Sequence, residues 1–231
     1  METWAKFLIL IVTAYLLGSI PMSFLVARTR GIDLRKQGSL QVGGGNLWRT
    51  TSRTFGLLVG IFDFLKGAVM VFCAWEWGLD AGLQLFVGMG TIIGHNWPLF
   101  LKFHGGRGIA TTLGIIILLP IINGDVTYWP LIACAVVGVG SLMFFRRTPV
   151  PVLLSLISMP IVSAAVREPL LVSLGYTAIL LIAVIKRLIA QASTEKRQNS
   201  LGELLLNRFL FDRDIRNRAE WVHRKTSDKK S

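Results

Sequence analysis

The chain has 231 residues, 52% of them hydrophobic and only 16% charged, with a mean hydropathy of +0.57. A soluble domain of this size would carry about 25% charged residues, so the composition excludes an ordinary soluble enzyme. The net charge of +12 does not indicate nucleic acid, because the basic residues fall in short loops between apolar runs and in the tail.

Apolar stretches long enough to cross a hydrocarbon core recur along the chain. They predict spans at about 4–27, 54–75, 79–100, 106–123, 127–145, 149–166 and 168–189. The expected fold is therefore all-α and integral to the membrane, a bundle of seven transmembrane helices. The first span is too long, and is followed by too much further membrane pattern, to be a cleaved signal peptide. With the N-terminus outside, only Lys6 and Arg167 of the 25 Lys and Arg residues fall outside, Lys66 lies within the second span, and the other 22 lie inside. Of the seven acids before the tail, Glu2, Glu76, Asp80, Asp125 and Glu168 fall outside. This asymmetry predicts an N-terminus outside and a cytoplasmic C-terminus. Two domains are expected: a membrane domain over 1–190 and a basic, amphipathic cytoplasmic tail over 191–231.

After the first span comes "RKQGSLQVGGGNLWR", from Arg35 to Arg49. Glycines permit positive φ and expose backbone N–H groups, and arginines supply charge, a combination suited to a dianion such as phosphate. A polar loop that merely fixes topology would look similar. In the second span, "FDFLKG" places Asp63 and Lys66 three residues apart on one helix face. Charge at membrane depth marks either a structural ion pair or the wall of a site. Glycines in "VGMGTIIG" and "VVGVGSL" permit close helix packing. Between the third and fourth spans, "GHNWPLFLKFHGGRGIATTLG" brackets Arg107 with Gly105, Gly106 and Gly108 just before a helix start. Unpaired N–H groups and the positive end of the helix dipole make this a second anion cradle on the same side. His95 is an acid–base candidate or a helix-end hydrogen-bonding residue, and His104 is an interfacial one. Cys73 and Cys134 lie in apolar spans with neither disulfide nor metal-site spacing; no metal and no cofactor are expected. In the tail, Ser200 and Glu203 form a capping box for a helix starting near Leu201. Leu204, Phe211, Ile215 and Val222 could share one face, flanked by Arg208, Arg216 and Arg218. Such a helix would lie on the anionic inner leaflet or pack on the inner loops.

From about Ile11 to Arg187 the sequence resembles the PlsY family of bacterial acyl-phosphate-dependent glycerol-3-phosphate acyltransferases. The blocks that carry the resemblance are "GSIPMSFLVAR", the opening loop, "FDFLKG", the "GHNWP" and "GGRG" segments, and "IKRLI" at Ile185–Ile189. The resemblance implies a seven-span bundle that moves a fatty acyl group from acyl phosphate to the 1-hydroxyl of glycerol-3-phosphate, giving lysophosphatidic acid and inorganic phosphate in a bacterial cell membrane. It implies membrane lipid as the surroundings, and contact with a soluble enzyme that makes acyl phosphate. Carried over by position, Ser39, Arg49, His95 and Arg107 are the catalytic candidates. Gly43, Asn46, Lys66, Gly105, Gly106, Gly108, Arg146 and Thr148 are the substrate-binding ones. The family motif usually reads Gly-Ser-Gly-Asn-x-Gly-Ala-Thr-Asn-x-x-Arg, from which Leu40, Gln41, Gly44 and Gly45 depart, and Arg107 stands for a lysine. Leu181 and Val184 stand where the family places a histidine and an asparagine. They share a helix face and offer no hydrogen bonds. A catalytically weakened lipid- or phosphate-binding paralogue is the alternative this leaves, with a small-anion transporter behind it.

Overall fold

The computed structural model describes residues 1–145, 149–189 and 200–214. Among these residues the regular elements are helical. In chain order they are α1 (Glu2–Gly18), α2 (Met22–Arg28), α3 (Gly44–Thr50), α4 (Arg53–Glu76), α5 (Ala81–Asn96), α6 (Ile109–Ile122), α7 (Trp129–Phe145), α8 (Pro149–Ala165), α9 (Leu170–Leu188) and α10 (Leu201–Phe211). The expected first span is two helices, interrupted at Pro21, which has no N–H to continue the ladder. The short α3 lies inside the expected first loop.

Three described stretches are long and apolar enough to cross a membrane: Glu2–Arg28, Arg53–Glu76 and Leu170–Leu188. Of the shorter apolar helices, Ile109–Ile122 packs on α4, Pro149–Ala165 packs on α9, and Trp129–Phe145 packs on Pro149–Ala165. The exterior is strongly apolar. Leu8, Ile9 and Val12 on α1 and Leu57, Leu58, Ile61 and Leu65 on α4 are about half exposed. A soluble protein rarely presents contiguous apolar faces of this extent, and lipid is the solvent that suits them.

Helix contact is close because glycines meet backbone. α1 packs on α5, and α4 packs on both α5 and α6. A Cβ at Gly94 would run into the Tyr15 carbonyl, and one at Gly114 into the Phe64 carbonyl. Where lipid is as apolar as leucine, such close approach supplies much of the attraction between helices. Val71, Leu85, Ile115, Leu119, Met159 and Val172 fill the core among α4, α5, α6, α8 and α9. The Ser200 hydroxyl accepts a hydrogen bond from the Glu203 N–H at 3.3 Å, which is the serine half of the expected capping box of α10. α10 packs on α8 and α9. Ile215, Arg216, Arg218 and Val222 lie outside the described residues.

Gly114→Leu should lower the thermal unfolding midpoint in detergent, since overpacking a tight contact typically costs about 1–3 kcal/mol. Gly124→Ala, in open space, should leave it within error. Equal midpoints for both variants would contradict the close α4–α6 contact.

Candidate active site

The site rests on charges buried in the bundle. On α4, Asp63 and Lys66 are 4% and 3% exposed, with Lys66 Nζ 2.9 Å from Asp63 Oδ1. Lys66 also donates to the carbonyls of Gly18 and Ile20, each at 3.2 Å. The break between α1 and α2 leaves these carbonyls available, and an ammonium with three donors satisfies them along with the carboxylate. On α5, His95 brings Nδ1 to 3.4 Å from the same Asp63 oxygen. One carboxylate therefore ties together α4, α5 and the break after α1.

The first glycine loop is organised from within by Asn46. Its side-chain oxygen accepts the Ser39 N–H at 3.1 Å. Its amide donates to the carbonyls of Gln37 and Gln41 at 3.0 Å and of Leu34 at 3.3 Å. Gly43, extended, leads into α3, which carries Arg49, whose Nη2 lies 3.4 Å from Ser39 Oγ. Arg35 is engaged by Asp33, at 2.8 Å, and this guanidinium holds the Asp33 carboxyl below its usual range. Leu40 has φ 60°. A leucine in the left-handed region costs roughly 1–2 kcal/mol.

The second loop folds back against the end of α5. The Gly106 N–H donates to the His95 carbonyl at 3.1 Å, and a Cβ at Gly105 would strike that same carbonyl. Gly108 caps α6 with φ 67°, a conformation that suits glycine. The two loops face each other across a cleft of about 440 Å³ lined by Gln41, Gly43, Gly44, Gly45, Asn46, Arg49, Asp63, His95, Gly106, Arg107, Gly108, Ile109 and Leu113, among others. This size is ordinary for a small-molecule site. The starts of α3 and α6 thus open on one space, with arginines beside them, and this arrangement suits an anion. Ile109 and Leu113 also line an apolar cavity of about 330 Å³ among α6, α7 and α8. The cleft therefore has a polar end and a greasy neighbour.

A model of the family described as "Glycerol-3-phosphate acyltransferase" matches residues 8–194. The chain belongs to this glycerol-3-phosphate acyltransferase family. Glycerol-3-phosphate acyltransferase 4 of Dehalococcoides mccartyi is 39% identical over 228 residues, covering 96% of this chain and 95% of the relative. The glycerol-3-phosphate acyltransferase of Aquifex aeolicus is 41% identical over 112 residues, 48% of this chain and 58% of that one. Crystal structures of PlsY (YgiH), an integral membrane glycerol 3-phosphate acyltransferase, superpose with a TM-score of 0.68 in two forms. The glycerol 3-phosphate form is 28% identical and covers 78% of this chain and 88% of that chain. The lysophosphatidic acid form is 25% identical and covers 94% and 98%.

The acyltransferase sequence placed Gly43, Asn46, Arg49, His95, Gly106, Arg107 and Gly108 in its site, and all of them line the cleft. Ser39 and Gly105 line a smaller adjoining cavity of about 150 Å³, which Arg107 also reaches. Lys66 is not among the residues lining the cleft: Asp63 and two carbonyls engage it beneath the floor. Asn46 makes its hydrogen bonds within its own loop, which makes it a builder of the cradle. Arg146 and Thr148 lie outside the described residues. Leu181 is 54% exposed, and neither it nor Val184 lines either cavity. As they stand, these two apolar side chains form no part of the cleft wall.

Sequence reasoning did not anticipate Phe211, Asp212 and Arg213, which line the cleft from the tail. Asp212 Oδ1 lies 2.7 Å from Arg107 Nη2. Burial pushes the Asp212 carboxyl up, opposed by the Arg107 charge, and burial pushes Arg107 down, opposed by Asp212. An arginine nevertheless keeps its charge in a protein.

Asp63→Ala should strip Lys66 and His95 of their shared partner. Removing one member of a buried ion pair typically costs about 3–5 kcal/mol, so the thermal midpoint in detergent should fall sharply. Lys66→Met with Asp63→Leu should recover part of the loss. A single variant as stable as the wild type would contradict the pinning role.

Proposed function

We propose that this acyltransferase moves a fatty acyl group from acyl phosphate to the 1-hydroxyl of glycerol-3-phosphate, at the cytoplasmic face of a bacterial cell membrane. Its membrane domain, 1–190, has seven spans with the N-terminus outside, and the tail, 191–231, is cytoplasmic. The charge asymmetry of the loops supports that orientation. The observation that carries the reading is the pairing of one cleft, lined by two glycine–arginine loops, with an apolar cavity that shares Ile109 and Leu113 with it. Two phosphorylated substrates need cationic, N–H-rich walls, and an acyl chain needs the apolar space.

The chemistry asks little of the protein beyond positioning and charge. The acceptor oxygen attacks the acyl carbonyl carbon, the bond from that carbon to the phosphate oxygen breaks, and phosphate leaves with the electron pair. His95, oriented by Asp63 at its Nδ1, takes the hydroxyl proton and passes it to the departing phosphate. No covalent enzyme intermediate is needed, because the donor is already activated. Arg49, with Ser39 beside it, and Arg107 hold phosphate oxygens and offset the charge that develops on the leaving group. A soluble enzyme that makes acyl phosphate would deliver the donor to this face.

The test is the kinetics of Arg49→Ala with labelled glycerol-3-phosphate and acyl phosphate. A hydrogen bond to a charged group is worth about 1.5–3 kcal/mol, so the KM for the phosphorylated substrates should rise roughly 10- to 100-fold. Wild-type kinetics in a folded variant would return the first loop to a purely topological role.

A further inference from the structure

The tail reaches the site from beyond residues 8–194, the segment that the family match covers. α10 is fastened by bonds in both directions. Arg208 Nη1 donates to the Leu188 carbonyl at 2.8 Å, and Arg187 Nη1 donates to the Phe209 carbonyl at 3.1 Å. Arg187 Nη2 also donates to the Pro149 carbonyl at 2.7 Å, tying α9 to the start of α8. Leu204 and Asn207 are buried beneath the helix. α10 stops at Asp212, in the left-handed region with φ 55°. This turn carries Phe211, Asp212 and Arg213 along the cleft, and Asp212, Arg213 and Asp214 along the smaller cavity.

Arg107 meets this segment. Its Nη2 lies 2.7 Å from Asp212 Oδ1, and its Nη1 donates to the Lys186 carbonyl at 2.6 Å. With its amide turned to present oxygen, Gln41 accepts from Arg107 Nε and Nη2 at 3.0 and 2.6 Å. Anchors on different nitrogens fix both the position and the plane of the guanidinium. On a glycine loop a long arginine would otherwise sample many rotamers, and ordering it would oppose substrate binding. The cleft keeps about 440 Å³ with the tail in place, so the segment walls the site and does not fill it.

We propose that residues 200–214 are a fixed wall of the acyltransferase site and that Asp212 is a positioning residue, holding Arg107 ready for a substrate phosphate. The proposal rests on the reading of Arg107 as a phosphate ligand. It gives the tail a role in binding, where the sequence suggested only a membrane-surface or packing helix.

The test is a double-mutant cycle on the full chain in detergent, with labelled glycerol-3-phosphate binding and turnover both measured. Asp212→Ala and the near-isosteric Asp212→Asn should each raise the KM for glycerol-3-phosphate about tenfold, with a smaller change in kcat. Asp212→Glu should recover part of the loss. In an Arg107→Gln background, Asp212→Ala should add almost nothing, because Asp212 acts through Arg107. An additive penalty in that background would overturn the proposal and mark Asp212 as structural only. A lower KM or faster turnover in Asp212→Asn would overturn it too, making the segment a plug. Wild-type binding and kinetics in the Asp212 variants, alongside an impaired Arg107→Gln, would remove Asp212 from the site and leave the function intact. Wild-type behaviour of Arg107→Gln itself would instead sink the phosphate-ligand reading.

Discussion

A single buried carboxylate organises the working end of this bundle. Asp63 sits where ions are costly, and it is sustained there by Lys66 at 2.9 Å and by His95 at 3.4 Å. Lys66 in turn caps the carbonyls left by the break before Pro21. Because the ion pair on α4, His95 on α5 and the carbonyls at the end of α1 come from separate parts of the chain, this cluster sets the relative positions of α1, α4 and α5. The second side of the cleft is referred to that frame. His95 is aimed by it, and the Gly106 N–H is bonded to the His95 carbonyl, so the second glycine loop inherits its position from the same carboxylate.

The two loops then solve one problem in two ways. The first is knotted by Asn46, whose amide and oxygen hold four backbone groups of the loop. The second is shaped by lack of space, since side chains at Gly105 or Gly106 would collide with His95. Each presents a helix start and an arginine to a common volume. For a transfer from an activated donor, the main barrier is bringing two anionic substrates together. Under the proposed function a preorganised cationic cleft lowers that cost, and the apolar cavity beside Ile109 and Leu113 is the space offered to the greasy part of the donor.

Much of this was legible in the sequence, for reasons that differ by element. Long apolar runs predict α4 and α9 nearly to the residue, because hydropathy is a local property. The expected span 4–27 concealed a break, since a proline inside an apolar run does not say whether the helix kinks or stops. Glycine and arginine clusters located the two loops that line the cleft, although a loop that merely fixes topology would have carried similar residues. For Lys66 the spacing leaves a structural ion pair or the wall of a site open; the pair with Asp63 forms, and the carbonyls that also engage Lys66 belong to residues up to 48 positions away, a relation no spacing rule encodes. The same holds for Asp212, whose backbone oxygen meets Arg107 across 105 positions. Leu181 raised the opposite difficulty. Its identity was plain, but the direction it faces depends on how α9 is rotated in the bundle.

The central question is whether the cleft joins the two substrates. Phosphorus NMR on the purified full chain, supplied with acyl phosphate and glycerol-3-phosphate, follows both directly. If the cleft joins them, lysophosphatidic acid and inorganic phosphate should appear together in equal amounts as acyl phosphate disappears. Inorganic phosphate released without lysophosphatidic acid, or acyl phosphate left unconsumed by folded protein, would contradict it.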